Sequence, residues 1–311
     1  MDPVKNAETP VGAPTEVRIE RILCPVDFSE ASLKAYRHAQ SIAGRYHAAL
    51  VVQHTVELEQ YVSAMYAPDF ELFEEFRRSQ IANARQELLH LPVSSSGVQP
   101  ECIVQEGTAS DAILSSAKER AISLIVLGTH GQRGFDRLLL GSVAERVLRH
   151  ASCPVLAIRP TAAGSSNQGA ADAPVQIRRI LCCVDFSEHS RRALDYALSA
   201  ADAYSAEVTV LHVLDHVSES ADVAQETDAA MDNLAKLLPP TAPGSAKTHL
   251  EVRLGQPYRE ILDLATEMKA DLIVTGVRGR NSLDLAVFGS TTYRVIQLGP
   301  GPVLTVPVKV I

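Results

Sequence analysis

Two stretches of this 311-residue chain carry glycines and a hydroxyl at a spacing that suits an anion. The first reads Gly128-Thr129-His130-Gly131, then nine residues, then Gly141-Ser142. The second reads Gly276-Val277-Arg278-Gly279, then nine residues, then Gly289-Ser290. Gly128 and Gly131 allow the backbone to come close to a ligand and to adopt positive φ. Gly141 and Ser142 open a helix, so their N–H groups and the positive end of the helix dipole favour phosphate, and the serine hydroxyl adds a donor. Asp27 and Asp185 end short apolar runs, where a carboxylate can accept hydrogen bonds from ribose hydroxyls. Each reading has an alternative. The glycines also suit tight turns and helix packing alone. Asp27 also suits the turn before the next helix, a role for which Ser29 competes. His130 offers a generic cation or donor, because its aligned partner is Arg278, while Arg133, Arg137 and Arg280 suit phosphate or plain surface equally well.

Other chemistries lack their motifs. There is no GxxxxGK[ST], no GxGxxG after a strand, no HExxH, no GxSxG and no Cys/His set at metal-ligand spacing. His54 and His212 precede the end of an apolar run and read as core or rim residues rather than catalysts.

The elements that position these residues occur twice. The run from Arg21 to Glu30, RILCPVDFSE, returns from Arg179 to Glu188 as RILCCVDFSE. His54 returns as His212, Gly107 as Gly255, and Cys153-Pro154-Val155-Leu156 as Gly301-Pro302-Val303-Leu304. The offset is 158 up to the histidines and 148 from Gly107 onward, so the second copy is ten residues shorter between those points. A small, polar, unpatterned segment from Thr161 to Pro174 reads as a flexible linker. The domains are placed at 17–160 and 176–311, with 161–175 between them.

Within copy one, Ile22–Val26 is a continuous apolar run, as in a buried parallel strand. Ser29 can cap a helix whose apolar face is Ala31, Ala35, Ala39, Ile42, Ala43 and Tyr46. Strands follow at 49–53, 101–105, 124–127 and 155–158, and helices at 69–91, 109–120 and 142–150. This alternation predicts α/β architecture: two tandem doubly wound domains, each an open parallel sheet with helices on both faces. Ligands of such sheets bind outside the carboxyl ends of the strands where strand order reverses, which is where Asp27 and Gly128 fall.

Composition narrows the function classes. Apolar residues make up 46% and charged residues 21%, enough for a globular core, although aromatics are only 5% and Trp is absent. A formal net charge of -8 argues against a general nucleic-acid binder or a peripheral binder of anionic membranes. The five cysteines, Cys24, Cys102, Cys153, Cys182 and Cys183, form no CxxC pair and read as buried free thiols in a reducing compartment. No apolar run approaches a membrane span, and the polar first sixteen residues hold no apolar signal core, so the expected location is the cytoplasm.

Strand-end acid, glycine loop and terminal strand, in that order and twice over, resemble a tandem universal stress protein. The family's G-x2-G-x9-G-[S/T] signature stands complete in both copies, and its strand-end Pro-x-Asp-Phe-Ser stands as Pro25-Val26-Asp27-Phe28-Ser29. The resemblance implies five strands per domain in order 3-2-1-4-5, with ATP at the switch point and Mg²⁺ as an optional companion. By it, residues around Pro25 and Thr55 meet adenine, largely through backbone, and Asp27 contacts the nucleoside. Leu127, Gly128, Gly131, Gly141, Ser142 and Val143 hold ribose and phosphates. The second site would use Cys183, Asp185, Val213, Thr275, Gly276, Gly279, Gly289, Ser290 and Thr291. Copy two departs from the pattern with Cys183 in place of proline and Arg278 in place of the loop histidine. The resemblance also implies pairing through the last strand, either between the two copies as an intramolecular pseudo-dimer or in a homodimer. The function it implies is that of a non-catalytic, ATP-binding stress-response regulator. A slow ATPase and a stress interaction protein without nucleotide are the alternatives.

Overall fold

The computed structural model describes residues 17–58, 70–93, 97–131, 140–160, 175–215, 222–238, 247–277 and 289–308. The first domain runs β1 (Arg21–Pro25), α1 (Glu30–Tyr46), β2 (Ala49–Val56), α2 (Phe70–Leu89), β3 (Glu101–Glu106), α3 (Ala109–Glu119), β4 (Leu124–Gly128), α4 (Ser142–His150) and β5 (Val155–Ile158). The second repeats this order as β6 (Arg179–Cys183), α5 (Glu188–Tyr204), β7 (Glu207–Leu214), α6 (Val223–Leu237), β8 (Thr248–Leu254), α7 (Pro257–Glu267), β9 (Leu272–Gly276), α8 (Ser290–Leu298) and β10 (Val303–Val306). The α/β alternation read from the sequence is therefore the fold. β2 extends three residues past the expected Gln53, and those residues include His54 and Thr55. Much of the ten-residue difference between the copies lies in helix length, since α2 has 20 residues and α6 has 15. The linker at 161–174 and the first sixteen residues lie outside the described part.

The strands form one ten-stranded sheet in the order β3-β2-β1-β4-β5-β10-β9-β6-β7-β8. Each half has the order 3-2-1-4-5, and every pairing within a half is parallel. The halves join where β5 and β10 pair antiparallel, with Leu156 opposite Leu304. Two short strands that would be open edges in separate domains thus satisfy one another.

Strand parity splits the core into two layers. Ile22, Cys24 and Val52 face one layer with α1 and α5, while Leu23, Val51 and Leu127 face the other with α3, α4, α7 and α8. Cys182 and Cys183 fall in opposite layers, as neighbours on a strand must. All five cysteines are free thiols, four of them buried and Cys102 half-buried.

The seam carries matched polar ties. Lys34 Nζ donates to the Arg159 carbonyl at 3.1 Å, and its counterpart Arg192 donates to the Pro307 carbonyl at 2.7 Å. In each domain the first helix thus holds the exit of the last strand. Across the seam Arg159 Nη1 donates to the Gly299 carbonyl at 2.6 Å, and Tyr46 meets Tyr204 edge-on with centroids 6.4 Å apart.

His38 on α1 lies beside this seam, with Nδ1 2.9 Å from the Lys34 carbonyl. Burial pushes its pKa down to about 4, the Lys34 carbonyl opposes that shift, and the charges of Lys34 and Arg37 add to it. A histidine neutral in the fold but titrating near 6.5 when unfolded makes the unfolded state bind more protons between those values. Stability should therefore fall as pH drops below about 6.5, with this loss fully developed near pH 4. Thermal unfolding followed from pH 7.5 to 5, above the main carboxylate range, should show the decline, and His38→Gln should flatten it.

Candidate functional site

The site begins with a turn that both copies build alike. After β1 the chain must leave the sheet and start α1, and the side chains of D-F-S supply the bonds for that turn. Asp27 Oδ1 accepts the Ser29 N–H at 3.1 Å and the Ser29 hydroxyl at 2.6 Å. Ser29 Oγ in turn accepts the Ser32 N–H at 3.3 Å, capping α1 as expected of that serine. Asp185, Ser187 and Ser190 repeat the three contacts at 3.1, 2.6 and 3.3 Å. Between acid and serine sits a phenylalanine in the left-handed region, Phe28 at φ 62° and Phe186 at φ 63°. A bulky residue there is strained, so surrounding contacts must hold it. His54 from β2 does so: its Nδ1 lies 2.8 Å from the Val26 carbonyl and its ring packs 4.9 Å from Phe28. His212 does the same with Val184 at 2.7 Å and Phe186 at 4.4 Å. Both histidines pin the turn, His54 from a half-buried position and His212 from a buried one.

The glycine loop approaches this turn from β4. A Cβ placed on Gly131 would lie 2.7 Å from Asp27 Oδ2, so the loop passes close beside the carboxylate. The expected positive φ is not found at Gly128, Gly131, Gly141 or Gly276; the left-handed conformation has moved to the phenylalanines. Gly128 has a different task from the one its motif suggests. Its missing side chain faces the Ala31 carbonyl carbon at 2.7 Å and the Ser32 nitrogen at 2.8 Å, so it lets β4 and the start of α1 pack. Gly276 faces His189 Cβ at 2.7 Å in the same way.

Gly141 also departs from expectation. Its N–H is given to the Thr129 carbonyl at 2.8 Å, closing the loop, and Gly289 matches it with Val277 at 3.2 Å. In this structure the Gly141 amide is thus committed to closing the loop. The N–H groups that helix geometry leaves without intrahelical acceptors are those of Ser142 and Val143 in α4, and of Ser290 and Thr291 in α8. Ser142, Val143 and Ser290 are exposed. Pro25 and Thr55 stand half-buried at the ends of β1 and β2, and Leu127 is buried one residue before Gly128. In copy two Thr275 and Cys183 are buried and Val213 is half-buried. Gly279, with Arg278, Arg280, Arg133 and Arg137, lies outside the described residues.

A family model described as the universal stress protein family matches residues 18–159 and again 176–307. The chain belongs to the universal stress protein family. A stretch of it is similar to Universal stress protein MJ0531 of Methanocaldococcus jannaschii, 33% identical over 140 residues, covering 45% of this chain and 82% of that protein. A universal stress protein of Mycolicibacterium smegmatis is 25% identical over 294 residues, covering 92% of this chain and 96% of its own. Among solved structures, a universal stress protein from Archaeoglobus fulgidus matches with TM-score 0.66 and 23% identity, covering 92% of this chain and 98% of that one. That likeness extends the shared fold across both domains.

The two universal stress protein domains differ at the mouth of the site. Where the first has Leu127 and Ala144, the second has Thr275 and Thr292, whose hydroxyls donate to the Gly276 carbonyl at 3.3 and 3.0 Å. Where the first has Pro25, the second has Cys183. Burial, and then the Asp185 charge, push that thiol up to about 12, so it stays protonated. Glu57 Oε1 accepts the Ala109 N–H at 2.9 Å and caps α3, whereas α7 begins with Pro257, which has no N–H to cap.

Sequence reasoning passed over one residue here. Gln53 is a polar side chain inside the apolar run of β2 and is only 1% exposed. The signal was its counterpart, Leu211, at the same place in copy two.

The glycines should separate on mutation. Gly128→Ala forces a carbon against backbone and should cost about 1–3 kcal/mol of folding stability. Gly131→Ala meets only the end of the Asp27 side chain and should cost much less. Chemical denaturation of the two variants checks this order.

Proposed function

We propose that this chain binds an adenine nucleotide, ATP, in the cleft of its first domain, and acts as a non-catalytic regulator in the stress response. The observation that carries the reading is the meeting of Asp27 with the glycine loop. One carboxylate oxygen is held by Ser29, and the other lies beside the loop at Gly131, 2.7 Å from where a Cβ would stand. A fixed acceptor beside a backbone cradle, with the helix N–H groups of Ser142 and Val143 beyond it, suits a ribose joined to phosphates. Pro25, Thr55 and Leu127 would border the base and sugar, with Gly128 and Gly141 shaping the loop.

In the second site Asp185, Gly276, Gly279, Gly289, Ser290 and Thr291 would take the matching parts, with Cys183, Val213 and Thr275 at the base. Thr275 and Thr292 already spend their hydroxyls on the Gly276 carbonyl there, and we assign that site the weaker affinity. Mg²⁺ would be held chiefly by the phosphates themselves. Among the described residues no group of three or more His, Cys, Asp or Glu is placed for a metal. Phosphoryl transfer needs charge neutralisation at the leaving group, and Asp27 is the acid on hand, so turnover would be slow. The five free thiols suit a reducing cytoplasm. Among the described residues no helix is long and apolar enough to cross a membrane. The β5–β10 pairing makes the chain its own pseudo-dimer, so a homodimer would use other surfaces.

The test begins with purified protein. Heat release and mass spectrometry should find adenine nucleotide, and calorimetry should resolve a tighter and a weaker site. Asp27→Ala should weaken the tighter one by ~10- to 100-fold, the scale of a hydrogen bond to a charged acceptor, while Asp185→Ala touches only the weaker. Equal ADP production by wild type and Gly131→Val would assign turnover to contamination. Absence of any binding heat at millimolar ATP would overturn the proposal.

A further inference from the structure

Buried polar atoms in folded proteins nearly always have a partner, and one that lacks it calls for an explanation. Gln53 presents such an atom. Its amide nitrogen donates to Thr55 Oγ1 at 3.2 Å, but its amide oxygen, sealed from solvent, has no hydrogen-bond partner. The surrounding backbone does not supply one: the Val26 N–H is given to the Gln53 carbonyl at 2.8 Å, and the in-register neighbours on either side are Pro25 and Ile103.

A purely structural role does not account for this glutamine. The matching position in the second domain is Leu211, equally buried at 1% and packed in the same core layer as Leu181 and Ile273. The fold accepts leucine there, and leucine would leave nothing unpaired. The next outward residue on the same face differs in the same sense, Thr55 in the first domain and Val213 in the second. The first domain has thus placed an amide and a hydroxyl, bonded to one another, on the strand face beside Pro25 at the end of the site.

We propose that Gln53 is a base-reading residue of the first site: its amide oxygen accepts a hydrogen bond from the exocyclic amino group of the bound nucleotide. This rests on the nucleotide reading above and deepens it. The first site then prefers a base that bears an amino group on this edge to one that bears a carbonyl, because a carbonyl would set two acceptors against each other. The second site, with Leu211 and Val213, has no such preference. Apolar walls tolerate either base edge, whereas a site built to hydrogen-bond one group rejects the analogue that lacks it.

The experiment uses the full chain carrying Asp185→Ala, so that the first site alone reports, titrated calorimetrically with ATP and with ITP. These differ at one carbon of the base, amino group against carbonyl, and in the proton that the hypoxanthine ring of ITP carries on the adjacent nitrogen. The expected result is ATP binding at least about tenfold more tightly than ITP. Gln53→Leu, and independently Gln53→Met, should bring ATP down to the ITP level while ITP changes less than about twofold. Nucleotide-free melting temperatures of both variants should equal or exceed the parent's, because a buried unpaired acceptor has been removed. An ATP-to-ITP ratio that survives both substitutions, or a parent that favours ITP, overturns the assignment of Gln53 and leaves the nucleotide reading intact. A parent that binds neither nucleotide overturns both. A fall in melting temperature in both variants would show the amide to be part of the fold's own bonding and would also overturn it.

Discussion

The Asp27 carboxylate has to serve two masters, and the rest of the site is arranged around that constraint. One oxygen is committed to the Ser29 N–H and hydroxyl, which is how the chain turns from β1 into α1. The other faces the glycine loop. Such a turn is possible only with Phe28 in a strained conformation, and the strain is held by His54 from the neighbouring strand. The acid is therefore fixed by the fold itself, and a preorganised acceptor of this kind would lose little freedom on binding the proposed nucleotide. The second domain repeats Asp185, Phe186, Ser187 and His212 in the same geometry, so this turn is the part of the design that duplication has kept whole.

Around the shared turn the two domains have diverged in chemistry while keeping one sheet. The β5–β10 pairing and the Arg159 bond to the Gly299 carbonyl hold the halves in a common frame. Within it, the first domain keeps a bonded amide and hydroxyl at Gln53 and Thr55, while the second places Leu211 and Val213 there and closes its own hydroxyls on Gly276. The two halves thus share one backbone design but present different side-chain chemistry at matching positions.

The fold was legible because its signals are local. Apolar runs such as Ile22–Val26 and the alanine face of α1 specify their elements by periodicity alone, and the repeat tested each reading twice. The meeting of Asp27 with the Gly131 loop where β1 and β4 end was legible in outline. Individual duties were not. Spacing cannot tell that Gly128 faces a helix backbone, that the Gly141 amide closes a loop, or that positive φ falls on Phe28 instead of a glycine, because each depends on which atoms meet in space. Gln53 was missed for the opposite reason: one polar residue in an apolar strand reads as tolerance until its unpaired oxygen is seen.

We propose that the first cleft is a cradle for a sugar and its phosphates, with the Asp27 carboxylate set in advance by Ser29. A crystal structure grown with millimolar ATP tests it most directly. The account predicts density for the nucleotide in the first domain, with the ribose on the Asp27 carboxylate and phosphate oxygens within hydrogen-bond reach of the Ser142 and Val143 amides. Density confined to solvent, with the Gly131 loop still seated against Asp27 as it is here, would contradict it.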